Sequence, residues 1–194
     1  MMDVESAVAA QIVDAARRHF LRFGYSRVST EEIARSIGRS KKTLYKHFET
    51  KEALLHAVLA RLDSEAGREI AGLLADRGGD RLARLRAILT AVAEHTANAH
   101  QVLLADLRAC SPELGLLAWR RRREALGQLL IPVLREAAEE HAFRADLAPD
   151  RVLAIFFACV EGLATPPDDG ESTEVPGGRF GLLVGLLVDG LRAR

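Results

Sequence analysis

Five basic side chains crowd residues 39–51, namely Arg39, Lys41, Lys42, Lys46 and Lys51, against the single acid Glu49. Tyr45 lies among them, flanked by Thr43 and His47. Cationic groups at that density displace counterions from phosphates, and polar side chains beside them can meet phosphate oxygens and base edges. The chemistry on offer is therefore the binding of a polyanion such as duplex DNA, with a solvated basic surface as the plain alternative. Over residues 1–51 ten basic residues stand against six acidic ones, a net of +4, while the whole chain of 194 residues is neutral, so the remainder carries −4. Whole-chain charge hides this asymmetry.

To act together these side chains must share one face of an element, and the spacing predicts a short helix. Ser40 can cap it, Leu44 and Phe48 point inward four residues apart, and Lys41, Lys42, Tyr45 and Lys46 are left outside. Before it, the tight Gly38-Arg39 turn follows a helix opened by Ser29-Thr30-Glu31-Glu32, a capping box, with Ile33, Ala34 and Ile37 facing inward. The first helix carries Val8, Ile12, Ala16, Phe20 and Phe23 on one stripe and stops at Gly24. Thr50 caps a fourth helix.

Taken together, Phe23-Gly24-Tyr25, Thr30, Ile33-Ala34, Gly38-Arg39-Ser40, Thr43-Leu44-Tyr45-Lys46-His47-Phe48 and Lys51-Glu52-x-Leu54-Leu55 closely resemble the signature of the TetR family over about residues 8–56. The resemblance implies a helix-turn-helix in which Lys41, Lys42, Tyr45 and Lys46 touch bases in the major groove, with Arg39 at the edge of that surface. It also implies that Thr30, Thr43, Tyr45, His47 and Lys51 hold the DNA backbone, Lys51 with help from the helix N-terminus that it opens. Lys42 stands where many members have glycine, and the acidic N-terminus lacks the basic arm that some relatives insert into the minor groove. By the same resemblance the protein is a ligand-responsive transcriptional regulator, in the family's majority behaviour a repressor. Such a regulator binds double-stranded palindromic operator DNA as a homodimer and is released by a small-molecule effector.

The rest of the chain reads as long helices. Apolar residues recur at helical spacing and no segment alternates long enough for a strand, so the fold is expected to be all-α with about nine helices. Residues 1–50 form a three-helix DNA-binding domain in this reading, and 51–194 a helical-bundle effector-binding and dimerisation domain. Helices are expected over 51 to about 77, ended by Gly78-Gly79, then 80–99, 101–110, 112–140, 149–163 and 179–192, with Pro132 kinking or splitting the fourth of these. The stretch 165–178 is rich in proline, glycine and acid and is expected to be a mobile loop. The last two helices are unusually apolar, and the resemblance implies that they build a four-helix dimer interface through Val152, Ile155, Phe156, Cys159, Leu182, Leu183, Leu186 and Leu187. Between the ends, Leu85, Leu89, Val92, Leu103, Leu107, Trp119, Leu126 and Phe156 are candidates, by position, to line a cavity suited to a hydrophobic or aromatic effector.

Other chemistry is poorly served. Cys110 and Cys159 form no C-x-x-C and are expected to be reduced core residues; His95, His100 and Asp106 lack matching helical offsets, so no metal is expected. The run Arg120 to Arg123 cannot point one way on a helix and reads as a solvated face. The competing class is a helical-bundle small-molecule carrier or enzyme without DNA binding. An enzyme needs a nucleophile–base pair, a metal motif or a phosphate loop, and none is apparent, so neither enzymatic activity nor a cofactor is expected. Residues 1–5 carry acid where a secretory leader needs base, and no run approaches the ~18 apolar residues of a membrane span, so a cytoplasmic location without membrane association is expected.

Overall fold

The helical periodicity is realised as nine helices, with no strand, among the residues described by the structure, a computed structural model: 4–75, 81–98, 101–139, 144, 146–164 and 178–191. They are α1 (Val4–Phe23), α2 (Thr30–Ser36), α3 (Lys41–His47), α4 (Lys51–Ala75), α5 (Arg81–Asn98), α6 (Gln101–Cys110), α7 (Pro112–Glu139), α8 (Pro149–Ala164) and α9 (Gly178–Leu191). The expected glycine stop at 78–79, and all of the expected mobile loop but its last residue, lie outside the described residues.

By packing, the chain divides into two compact units, Met1–Ser64 with His100–Arg120 and Glu65–Ala99 with Arg121–Arg194. In the first, α1 packs on α2, α3 and α6, and α2 packs on α3. Ile12, Ala16 and Phe20 of α1, Ile33 and Ala34 of α2, and Leu44 of α3 are buried in one cluster with Leu54, Leu55 and Val58 of α4. Leu103 and Leu107 of α6 belong to the same cluster, so a segment distant in sequence forms part of the core under α1 and the two short helices. Burying one such leucine or phenylalanine is worth about 2 kcal/mol, which is what holds seven-residue helices too short to persist alone.

In the second unit α5 packs on α8 and α9, and α8 on α9. Ile88, Leu89 and Val92 of α5, Phe156, Phe157 and Val160 of α8, and Val184 and Val188 of α9 are buried. The end of α9 is tied down twice: the Arg144 amide donates to the Leu191 carbonyl at 2.9 Å, and Arg86 of α5 pairs with Asp189 at 3.0 Å.

Four expectations are corrected. Phe23 leaves the buried stripe and is 46% exposed. It occupies the last turn of α1, where the chain departs at Gly24, and its ring is covered by the Arg22 guanidinium at 5.0 Å rather than by the core. Of the kink or split expected at Pro132, the split is corrected: α7 runs unbroken from Pro112 to Glu139. The proline sits on the exposed side, as does Gln128, whose carbonyl loses its donor and can be hydrated, while Leu130 and Leu134 keep the helix anchored on its buried side. The arginine run is not wholly solvated: Arg122 is buried and donates from Nη1 to the His95 carbonyl at 3.0 Å. Cys110 is exposed and Cys159 half-buried, both as free thiols.

Candidate nucleic-acid interface

The basic face is assembled by local hydrogen bonds before any long-range packing. Ser29 caps α2 by accepting from the Glu32 amide at 3.1 Å, and the Glu32 carboxylate accepts from the Ser29 amide at 2.8 Å, closing the capping box. Those Ser29 bonds hold the Glu32 carboxyl below its ordinary pKa. At the end of α2, Gly38 takes φ +66°, a region that disfavours side chains, and lets the Arg39 amide return to the Ala34 carbonyl at 2.9 Å. Ser40 then caps α3 by accepting from the Thr43 amide at 3.1 Å. Leu44 is the buried residue of α3, fully enclosed, and it fixes which face looks outward.

On that outward face Lys41, Lys42, Tyr45 and Lys46 are exposed, Arg39 is exposed in the turn, and Thr43 and His47 are half-buried at the margins. Thr30, buried, reaches across from α2, its hydroxyl 3.2 Å from the Tyr45 hydroxyl, so the two side chains form one polar bridge between the helices. Lys41 leans toward the Tyr45 ring, 5.8 Å from its centroid. Lys51 stands apart from this set. Its ammonium donates to the Tyr25 carbonyl at 2.6 Å and lies 4.3 Å over the Tyr25 ring, and burial lowers its pKa.

Two contacts at this site escaped sequence reasoning. Glu5 of α1 pairs with Lys46 at 2.8 Å, and that hydrogen bond lowers the Glu5 pKa. Asp106 of α6 accepts from both the amide and the hydroxyl of Ser26, each at 2.6 Å, anchoring the turn between α1 and α2. Partial burial pushes the Asp106 pKa up, but the Ser26 bonds outweigh it and the carboxyl is held below its ordinary value. The same carboxyl presses on Gly24, where φ is +84° and an added Cβ would come within 2.8 Å of it. A separation of 80 residues leaves no pattern in sequence by which either contact partner of Asp106 could be found.

The remaining candidate residues fall in different places. Leu85, Leu89, Val92, Leu126 and Phe156 are buried in the second unit, whereas Leu103, Leu107 and Trp119 are buried in the first, the two leucines within the core beneath the short helices. Of the interface candidates, Val152 and Phe156 are buried within the chain. Ile155, Leu182 and Leu186 are 58%, 47% and 67% exposed, and Cys159, Leu183 and Leu187 are half-buried. Cys159, Leu182, Leu183 and Leu186 border an apolar groove of about 410 Å³ between α8 and α9. Among the described residues no helix is long and apolar enough to cross a membrane.

Comparison with known proteins agrees with this geometry. The family described as bacterial regulatory proteins, tetR family, matches residues 12–58, which contain α2, α3 and the start of α4. The chain is 30% identical over 161 residues to the HTH-type transcriptional repressor DhaR of Mycobacterium sp., covering 80% of this chain and 79% of that protein. It is 27% identical over 164 residues to the HTH-type transcriptional repressor Rv1474c of Mycobacterium tuberculosis, covering 84% of each. Its fold matches the crystal structure of a TetR/AcrR-family transcriptional regulator from Thermobifida fusca with a TM-score of 0.70, at 22% identity over 96% of this chain and 99% of that one. The chain belongs to the TetR family and is a helix-turn-helix transcriptional regulator.

Proposed function

We propose that the protein is a ligand-responsive repressor that binds a palindromic operator as a homodimer and leaves it when a small hydrophobic or aromatic effector binds. The observation that carries the DNA reading is the outer face of α3. A seven-residue helix capped by Ser40 and held by Leu44 has little stabilising role of its own, yet it turns Lys41, Lys42, Tyr45 and Lys46 outward together. In this reading those four, with Arg39 at the edge, enter the major groove, and lysine pairs with guanine O6 or N7. Thr30, Thr43, Tyr45 and His47 set the register on the phosphates. Lys51 contributes through the two N–H bonds that its Tyr25 contact leaves over. The repressor assignment is supported by the function named for DhaR and Rv1474c.

In the proposed division of labour residues 1–50 bind DNA and 51–194 sense the effector and dimerise, in the cytoplasm where the operator lies. Exposed Ile155, Leu182 and Leu186 support a two-fold partner on α8 and α9, since apolar side chains left in water beside an apolar groove are stabilised by a surface that excludes it. The effector cavity is proposed within the second unit, among Leu85, Leu89, Val92, Leu126 and Phe156.

Gel shift and footprinting on the DNA flanking the gene, at two salt concentrations, test this function. The expected result is a protected palindrome whose affinity falls steeply with salt and which an apolar compound from a small panel releases. Absence of any protected sequence, both there and in selection from random DNA at low salt, would contradict it.

A further inference from the structure

The first unit contains a cleft that DNA binding by α3 does not use. It has a volume of about 380 Å³, within the range of small-molecule sites, and lies between the end of α1, the following turn and α6. Phe23 on α1 and Val102 on α6, two large apolar side chains that are 46% and 50% exposed, both border it, as does buried Val28. Two helices distant in sequence thus leave apolar surface in water at the same place, which isolated exposed residues do not do. Arg22 and Arg27 supply two guanidinium groups at its edge, and neither has an ion pair among the described residues. The acid that borders the cleft, Glu32, is already engaged by Ser29. Phe23 carries the Arg22 guanidinium on its face at 5.0 Å and stands 6.1 Å from the His19 ring, a wall suited to a flat, anionic partner.

We propose that this cleft is a second effector site, on the DNA-binding unit, for a small aromatic carboxylate. The ring of such a ligand would lie between Phe23 and Val102 with its carboxylate on Arg22 and Arg27. Val102 is one turn before Asp106 on α6, so the ligand would sit beside the Ser26 anchor of the α1–α2 turn. Arg27 is also close enough to act electrostatically on Asp106, and a ligand carboxylate would compete with that carboxyl for it. Occupation of the cleft is thereby coupled to the position of the short helices.

The test is calorimetric titration of the full-length protein with 1-naphthoate in the absence of DNA, so that its result stands apart from the operator reading. Arg27→Glu reverses a rim charge and Val102→Trp fills the cleft from an exposed position; circular dichroism checks that each folds. Saturable binding by the wild type, weakened at least tenfold by each variant, is the expected result. No saturable binding, or binding that either folded variant leaves intact, would overturn the proposal. The proposal is also overturned if Arg27→Glu weakens only operator binding and flattens its salt dependence, which would make Arg27 a DNA phosphate contact instead. Should a variant misfold, Arg27→Gln and Val102→Phe replace it with the same expectations.

Discussion

Helices α3 and α9 both present surface that is exposed among the described residues, and they do it in opposite ways. α3 is capped by Ser40, held by Leu44 and exposes lysines and a tyrosine. α9 holds Val184 and Val188 inside and exposes Leu182 and Leu186. A charged face is stable in water by itself and is useful only to a partner of opposite charge, with affinity that salt weakens. An apolar face is costly in water and gains from a partner that removes it, with affinity that salt hardly affects. The contrast fits the two partners proposed above, DNA on α3 and a second copy on α9.

The strongest way to break that contrast is to charge the apolar face. Leu182→Glu with Leu186→Glu is expected to give monomers in sedimentation at micromolar concentration, each central position costing about 2 kcal/mol or more, and to lower operator affinity at least ~100-fold. A dimer that survives both changes would place the interface elsewhere.

Next in size are changes at the anchor of the α1–α2 turn, which should disturb α3 and leave α9 alone. Gly24→Ala forces a side chain into positive φ against Asp106 and should lower stability by about 1–3 kcal/mol. Asp106→Ala removes two charge-assisted hydrogen bonds and should cost about 2 kcal/mol in thermal or urea unfolding, with the dimer intact. Because the folded Asp106 pKa lies below its ordinary 3.8, the stabilisation is complete above that pH and is lost as pH falls through the folded value. Acid titration should therefore separate wild type from variant above pH 4 and bring them together below it. Equal stability of wild type and variant at neutral pH would remove Asp106 from the account.

The smallest effect sharpens the charged side of the comparison. Glu5 competes with DNA for Lys46, so Glu5→Gln should free that lysine and raise operator affinity severalfold at fixed salt. An unchanged affinity would mean that the Glu5 pair does not hold Lys46 back from DNA.

The parts of this molecule that sequence made legible are those built from near neighbours. The Ser29–Glu32 capping box, the Gly24 and Gly38 stops, the Ser40 cap and the inward Leu44 are all set by residues within a turn of one another, and each stands where spacing placed it. The grouping of Lys41, Lys42, Tyr45 and Lys46 on one face follows from the same periodicity. What sequence hid depends on chain segments brought together from far apart. Asp106 meets Ser26 only because α6 packs on α1, and Glu5 meets Lys46 only because α1 passes α3. Lys51 has the type and position of a phosphate contact, but the carbonyl that draws it inward belongs to Tyr25, and no local pattern announces that. Arg122 is buried within an arginine run because the His95 carbonyl on another helix accepts from it. Pro132 predicts a kink or a split from its own chemistry, yet α7 runs unbroken past it with Leu130 and Leu134 buried on either side.

The central claim is that α3 reads DNA, and the most direct test is Tyr45→Ala with Lys46→Ala, measured by fluorescence anisotropy on the footprinted operator across a salt series. Neither side chain is buried, so the double variant should fold and dimerise as the wild type does. The predicted result is a loss of affinity of at least ~100-fold with a salt slope flattened by about 0.9 for each lysine removed. Affinity and slope equal to those of the wild type would contradict the assignment of α3 as the recognition helix.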